Sequence, residues 1–339
     1  HPVGQGAFYT EVIEFGNDEK FVMVYDCGSL NYKNLEISID NFIKTIEEQK
    51  PIDILFISHF DKDHVNGIEY LLSKKHVSKI IIPVITNVEC LVLKTFYLDQ
   101  KAKKKTKNFD KVITLLEIAS KQSAVYKVGD SVVITIAKKY NKLSEIKVGD
   151  IHDMISLTNR IKIKLTGNRE GYYFIPFNVE QSKRRKMLKK LLQNEGIDLD
   201  SITIKNPMTN EMIKSVNRVY KMLKGGINVN SMCLYAGNNN EKIKNACLYT
   251  GDFDAKHNMD FLKNGYGNVW DSISIIQVPH HGSINSHNKE LYSAGMRSVI
   301  SCRENNKHHP HPSVVNDIYN ATQFSSLKAT ENNSIIFIN

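Results

Sequence analysis

The stretch that decides the fold is IDILFISHFDKDHVNG, at residues 52–67. Its first six residues are apolar except for one aspartate and rich in isoleucine, which is typical of a buried strand. Four polar side chains then fall within the six residues 59–64, namely His59, Asp61, Asp63 and His64. Divalent cations in hydrolytic sites are bound by imidazole and carboxylate groups. This stretch therefore predicts a strand that leads into a metal centre.

A solvated polar turn is the alternative interpretation of this cluster, with Asp61 or Asp63 as the N-cap of a following helix. That alternative explains neither the two histidines nor Gly67. Four such groups buried without a cation would repel one another and would lose their hydration at a large cost. We therefore favour the metal centre.

Three other predicted strand ends offer further ligands. Asp252 follows an apolar strand and Gly251, and one carboxylate can bridge two cations about 3.5 to 4 Å apart. His280 and His281 follow the apolar run at residues 273–278, where the alternative is a packed core histidine beside an exposed one. A last group lies at residues 308–311, where the alternative is an exposed polar loop. Within that group we expect His311, which precedes a proline, to be functional.

The rest of the chain reads as one α/β domain over residues 1–339. Strands are predicted near both ends, including 7–15, 21–25, 231–235, 246–249 and 334–338, with helices at 35–49, 65–74 and 313–322. Gly237-Asn238-Asn239-Asn240 predicts a hairpin turn. The pattern weakens over about 87–228, so we expect an insertion or substrate cap there.

Composition limits the partners that we expect. The formal net charge is +9, and lysines cluster at residues 101–107 and 183–190, which favours a polyanion such as nucleic acid. Solvated helix faces are the alternative for each basic run. Five scattered cysteines without a CxxC pair, and no apolar run of membrane-spanning length, predict a cytoplasmic protein that does not enter a membrane. Nothing in the sequence identifies a protein partner.

Several motifs resemble, in order along the chain, those of the metallo-β-lactamase-fold hydrolases of the ComEC type, named for the hydrolase domain of the bacterial DNA-uptake channel. They are Val3-Gly4-Gln5-Gly6, Tyr25-Asp26-Cys27-Gly28, the residue 58–67 cluster, Asn230-Ser231, Thr250-Gly251-Asp252, Val278-Pro279-His280-His281-Gly282-Ser283 and His311-Pro312. The resemblance implies a four-layer αββα sandwich with an inserted helical or mixed cap.

The resemblance also assigns roles to residues. It implies that His59, Asp61, Asp63 and His64 are ligands, that Asp252 bridges two cations, and that a member of the His280-His281 pair completes the site. Asp26 would lie beneath the cations and orient a ligand. The wider superfamily usually has histidine at the position of Asp61, so this oxygen-rich site tilts the preference from Zn²⁺ toward Mn²⁺ or Mg²⁺, with Zn²⁺ still allowed.

The chain departs from the ComEC pattern in two places. Pro2 and Ala7 flank Val-Gly-Gln-Gly where acidic residues are expected, and residues 87–228 are longer than the family core. The chain also has no membrane channel, so DNA uptake is not implied.

The expected reaction is attack on phosphorus by a hydroxide that two cations activate, in a site that includes Asp63. His311, or whichever of His280 and His281 is not a ligand, would protonate the leaving oxygen, and Ser283 or Lys62 would contact a phosphate oxygen. The leading hypothesis is a phosphodiesterase or nuclease that acts on nucleic acid. The alternatives are a hydrolase of a small ester (a cyclic nucleotide, a phosphorylcholine ester or a lactone) and a non-catalytic signalling module that keeps its metals.

Overall fold

The computed structural model describes residues 1–15, 19–83, 85, 87–104, 109–120, 125–128, 131–135, 143–147, 160–164, 172–179, 182–197, 209–222, 231–238 and 244–338. These residues form two mixed β-sheets that pack face to face, with helices on both outer faces.

The first sheet has the strand order β1-β2-β3-β4-β6-β5 among the described residues. Strands β2, β3, β4 and β6 run parallel to one another, so their carboxyl ends lie at one edge, whereas β1 and β5 at the two ends of the sheet are antiparallel to β2 and β6. The pairing of Tyr25 with Phe56 sets the end of β2 beside the loop that follows β3. The strands are β1 (Gly6–Phe15), β2 (Glu19–Ser29), β3 (Ile52–Phe56), β4 (Val77–Ile82), β5 (Val125–Val128) and β6 (Ser131–Thr135).

The second sheet has the described order β14-β13-β12-β11-β10-β9-β8-β7. Strands β11 to β14 are parallel, so the loops that carry Asp252 and the His280-His281 pair leave from the same edge. The strands are β7 (Leu143–Lys147), β8 (Arg160–Lys164), β9 (Tyr172–Phe177), β10 (Cys233–Asn238), β11 (Ala246–Tyr249), β12 (Ile273–Gln277), β13 (Arg297–Ser301) and β14 (Leu327–Ala329).

Helices cover both outer faces. Helices α1 and α3 to α7 supply apolar residues to the core outside the first sheet, and α8 and α9 supply those outside the second. A third core between the sheets joins Phe21 and Phe56 to Phe174 and Leu234. The predicted four-layer αββα fold is therefore confirmed. The helices are α1 (Tyr32–Lys44), α2 (Lys62–Val65), α3 (Ile68–Lys74), α4 (Asn87–Lys104), α5 (Asp110–Ser120), α6 (Ser182–Asn194), α7 (Asn210–Met222), α8 (Ala255–Tyr266) and α9 (Pro312–Thr322).

The predicted strand at residues 334–338 is wrong. That segment has no regular structure, and the side chains of Ile336 and Ile338 are 78% and 95% exposed. The last strand is instead β14, after which the Asn333 side chain accepts hydrogen bonds from the backbone and hydroxyl of Thr330 and turns the chain. An apolar run forms a strand only where a neighbouring strand is available to pair with it.

The weakly patterned region at about 87–228 contributes to both sheets. Its described strands β5 and β6 join the first sheet, and β7, β8 and β9 join the second. A substrate cap in this region stays a prediction. Residues 105–107 of the first lysine run lie outside the described residues, as does part of the predicted hairpin turn, although β10 and β11 pair antiparallel as that turn requires. Within the described ranges, no helix has the length and apolar character that crossing a membrane requires.

Candidate metal centre

The predicted ligands meet where the loop after β3 faces the loops after β11 and β12. The ligand atoms form two groups, and within each group all of the atoms lie within 4.8 Å of one another. The first group is His59, His64 and Asp252, and the second is Asp63, His64 and His281. Because His64 belongs to both groups, the two form one continuous cluster. The loops of both sheets thus converge on one place, as the sequence predicted.

Asp252 lies at the middle of this cluster. Its carboxylate oxygens are 3.1 Å from Nε2 of His64, 3.8 Å from Nε2 of His59 and 3.7 Å from Nε2 of His280. On the other side, Nε2 of His281 lies 3.3 Å from Oδ2 of Asp63. A carboxylate in this central position could serve as a ligand shared by two cations.

Asp26 lies buried beneath the cluster. Its Oδ1 accepts a hydrogen bond from the backbone N–H of Ser58, and its Oδ2 accepts one from the Ser58 hydroxyl and one from Nδ1 of His64, at 2.8 Å. Burial raises the pKa of Asp26, and the contacts with His64 and Ser58 oppose that rise. Asp26 thus contacts both Ser58 and His64, and its role in orienting a metal ligand stays a prediction.

These contacts fix which nitrogen of each ring faces the cluster. Nδ1 of His64 donates to Asp26, and Nδ1 of His281 donates to the carbonyl of Ser301. Nδ1 of His59 lies 2.8 Å from the Ser58 hydroxyl, whose own proton is directed to Asp26. In the neutral form of each ring, Nε2 therefore carries a lone pair that points into the cluster.

The donor set fits divalent cations. Nε2 of His59 and Nε2 of His64 are buried and, among the residues that the structure describes, face the Asp252 carboxylate at 3.8 and 3.1 Å without a well-formed hydrogen bond. A buried imidazole nitrogen without a partner is costly, and a cation would satisfy it. Imidazole and carboxylate donors suit Zn²⁺ and Mn²⁺.

The charges of the cluster favour the cation-binding forms of Asp252 and His59, and they favour the protonated form of His64. Burial works to raise the pKa of Asp252, but His64 and His280 outweigh it and hold that pKa well below its ordinary value. Burial lowers the pKa of His59 to about 3, so its ring is neutral at neutral pH. Burial also opposes the charged form of His64, yet Asp252 and Asp26 raise its pKa well above the ordinary value. A bound cation would displace that proton.

The backbone is strained at three residues of this site. Asp26, His280 and His281 have φ angles of 58°, 48° and 56°, in the left-handed region that non-glycine residues seldom adopt. Each such residue costs on the order of 1 to 3 kcal/mol and is typical of functional sites. Gly28 has a different role, since a Cβ there would lie 2.4 Å from the carbonyl carbon of Asp63. Only glycine allows β2 to approach the ligand loop so closely.

Two residues that position Asp252 were given no role by the sequence. The side-chain oxygen of Gln277 accepts hydrogen bonds from the backbone N–H groups of Thr250 and Gly251, and the Ser231 hydroxyl accepts one from the N–H of Asp252. The Ser231 hydroxyl also lies 3.1 Å from Nδ1 of His59. The sequence feature that could have identified Gln277 is an amide side chain at the end of the isoleucine-rich strand β12.

Asp61 and Lys62 lie at the start of α2, on the same loop. Asp61 is the residue before the helix, and its side chain makes no capping hydrogen bond. It belongs to neither of the two ligand groups found among the described residues. Both side chains are half-buried, and their predicted roles as ligand and phosphate contact stay predictions.

Ser283 and His311 lie next to the His280-His281 turn, where the backbone N–H of Ser283 donates to the carbonyl of His280 and that of His311 donates to the carbonyl of Gly282. Ser283 is buried, and its hydroxyl accepts a 3.3 Å hydrogen bond from the backbone of Asn285. His311 is the N-cap of α9, where Nδ1 accepts a hydrogen bond from the N–H of Ser313. Their roles toward substrate stay predictions.

His309 lies closer to the ligands than its position in the sequence suggested. Its ring centroid is 6.0 Å from that of His280, and its buried Nδ1 has no hydrogen-bond partner within the described part of the chain. Burial and the neighbouring His280 lower its pKa. The sequence placed His309 in a histidine group but favoured His311 from that group.

Comparison with known proteins gives one match. The model of the metallo-beta-lactamase superfamily matches residues 10–106, which include most of β1, all of β2 to β4 and the whole residue 58–67 cluster. A search among curated proteins found no significant relative. The matched superfamily domain and the His/Asp clusters together support a metal-dependent hydrolase in general.

Proposed function

We propose that this protein, whose residues 10–106 match the metallo-beta-lactamase superfamily, is a two-metal phosphodiesterase of the ComEC type that cleaves nucleic acid. The observation that carries the proposal is the position of the Asp252 carboxylate. It faces Nε2 of His59 and Nε2 of His64, which follow β3, and Nε2 of His280, which follows β12. Asp63 and His281 extend the cluster on one side. The donors suffice for two cations that share Asp252.

One cation would be held by His59 and Asp61, and the other by Asp63, His64 and His281. Asp252 would be shared by both. Zn²⁺ and Mn²⁺ are the leading candidates, with Mg²⁺ as a third. When bound, such a pair makes a water nucleophilic at neutral pH and neutralises charge on the phosphoryl oxygens.

The protein's own groups do the positioning. Asp26, Ser58 and the carbonyl of Ser301 hold three imidazoles in one tautomer, so that their lone pairs need no reorganisation when substrate arrives. Lys62, half-buried at the start of α2, supplies a positive charge for a substrate phosphate oxygen. The buried Ser283 hydroxyl is the second candidate for that contact.

His309 and His311 are two candidates for the group that protonates the leaving oxygen. We expect His309→Ala to lower kcat/KM by about 10²-fold, because its partnerless ring lies beside His280 and a positioned donor contributes at least that much. His311→Ala removes the cap of α9, so it should cost about 1 kcal/mol of stability and change kcat/KM by less than about tenfold. Steady-state hydrolysis of a chromogenic phosphodiester and thermal unfolding measure both effects. The reverse ranking would return the role to His311.

A substrate panel tests the proposal. Purified protein is incubated with Mn²⁺, Mg²⁺ or Zn²⁺ and with single-stranded DNA, duplex DNA, RNA, cyclic nucleotides and a chromogenic phosphodiester. We expect cation-dependent cleavage of a nucleic acid that Asp63→Ala abolishes. Its KM should rise steeply with salt, since binding that neutralises six phosphates loses about 10³-fold in affinity between 50 and 200 mM salt.

Other outcomes would replace the proposal. Cleavage of cyclic nucleotides or small esters alone, without a salt slope, would make the protein a small-ester hydrolase. No hydrolysis of any substrate by cation-loaded protein would favour the non-catalytic module.

A further inference from the structure

We propose that the exposed lysines of α6 bind the phosphate backbone of a nucleic-acid strand as it leaves the metal centre. This inference rests on the proposed function. Helix α6 buries Leu188 and Leu192 in the core, while Lys186, Lys189 and Lys190 are exposed. Residues three and four apart lie on one side of a helix, so the three lysines form a single surface, here called the α6 basic face.

The three lysines of the α6 basic face form no ion pair with any residue that the structure describes. Arginines nearby are different, since Arg185 pairs with Glu89 at 3.3 Å and Arg218 of α7 pairs with Glu195 at 2.9 Å. Glu89 and Glu195 thus form ion pairs with arginines of α6 and α7, whereas the charges of the three lysines can attract a polyanion from solution.

Contacts through α4 place this face near the ligand loop. Arg185, in the first turn of α6, pairs with Glu89 in the first turn of α4. About two turns later on α4, the Tyr97 hydroxyl donates a hydrogen bond to the carbonyl of Phe60, between His59 and Asp61. The eight residues from Glu89 to Tyr97 span about 12 Å of helix, and Lys189 lies one turn beyond Arg185. One helix and two side-chain contacts thus link the face to the ligand loop, a separation that a strand of about 20 nucleotides at about 3.4 Å each can span.

A phosphate backbone fits this face better than bases do. Lysine binds phosphate as a point charge without reading sequence, and α6 (SKRRKMLKKLLQN) has no aromatic side chain on which a base could stack. Binding should therefore be insensitive to sequence and should need a strand long enough to reach from the metal centre to the lysines.

A charge-reversal triple tests the inference, Lys186→Glu with Lys189→Glu and Lys190→Glu. The matched control reverses Lys44, Lys74 and Lys244, which are also exposed and lie near the amino ends of β3, β4 and β11, at the opposite edge. Binding of a 20-nucleotide single strand is measured by fluorescence anisotropy with a chelator present, over a range of salt concentrations. Hydrolysis of a chromogenic phosphodiester by the Mn²⁺-loaded proteins is measured in parallel.

We expect the α6 triple to bind the 20-mer at least about tenfold more weakly and to lose about two units of salt slope, since each single-strand phosphate contact contributes about 0.7. The control triple should bind within about twofold of the parent, a trinucleotide should be cleaved equally by all three proteins, and small-diester hydrolysis should be unchanged.

Two results would overturn the inference. Equal losses in both triples would show only a general effect of net charge, and unchanged 20-mer binding in the α6 triple would exclude the face. Cleavage of the 20-mer by the parent would leave the proposed function intact in either case. If the parent protein neither binds nor cleaves the 20-mer but hydrolyses the small diester, the proposed nucleic-acid substrate itself fails.

Discussion

Asp252→Asn is expected to lower kcat/KM by about 10³-fold or more, because it removes the charge on which both halves of the cluster depend. The carboxylate lies within 4 Å of three imidazole nitrogens. Asparagine keeps the shape and the backbone hydrogen bond to Ser231 but cannot share a negative charge between two cations. The number of cations per chain, counted by elemental analysis after dialysis, should be two in the parent and lower in the Asp252→Asn protein.

Asp254→Asn is the matched control for this variant. Asp254 lies two residues away and contacts the exposed ring of His257 rather than the ligand cluster. We expect it to keep parental activity within about twofold. A protein with Asp252→Asn that kept both cations and activity within tenfold would contradict the bridging role of Asp252.

Asp26→Asn is expected to weaken cation binding by about 10- to 100-fold, the usual cost of losing a group that orients a ligand. The side chain accepts from the N–H of Ser58, from the Ser58 hydroxyl and from Nδ1 of His64. An asparagine that keeps the bond from the Ser58 N–H must present its NH₂ group to the other two. His64 would then carry its proton on Nε2, directed at Asp252 and at the cation.

Titration of the metal-free protein with Mn²⁺ or Zn²⁺ measures this loss, and thermal unfolding without metal shows whether the fold is intact. Asp40→Asn is the control, since Asp40 accepts a hydrogen bond from Tyr70 away from the cluster. An Asp26→Asn protein that stays folded and binds cations within about threefold of the parent would show that Asp26 does not set the tautomer of His64.

The ligand cluster could be predicted because its signal is local. His59, Asp63 and His64 are contiguous with an apolar strand, and the parallel order of β2, β3 and β4 brings such strand ends to one edge. Asp252 and His281 likewise follow apolar strands. The four-layer fold follows from the same alternation of strands and amphipathic helices.

The other features of the site and fold could not be predicted, because they depend on contacts between residues that are distant in the sequence. Gln277 and Ser231 acquire their roles only when β12 and β10 bring them beside the Asp252 turn. Similarly, His309 and His311 are alike in sequence, and the helix cap that occupies Nδ1 of His311 exists only in the folded chain. The strand predicted at residues 334–338 failed because strand formation depends on a neighbour that the sequence does not specify.

The cations themselves give the most direct test of the account. Crystals of the protein grown with Mn²⁺ would be analysed by anomalous diffraction, which locates each ion. The account predicts two peaks about 3.5 to 4 Å apart on either side of the Asp252 carboxylate, one beside His59 and the other beside Asp63 and His281. Peaks remote from Asp252, or no peak among these residues at saturating Mn²⁺, would contradict it.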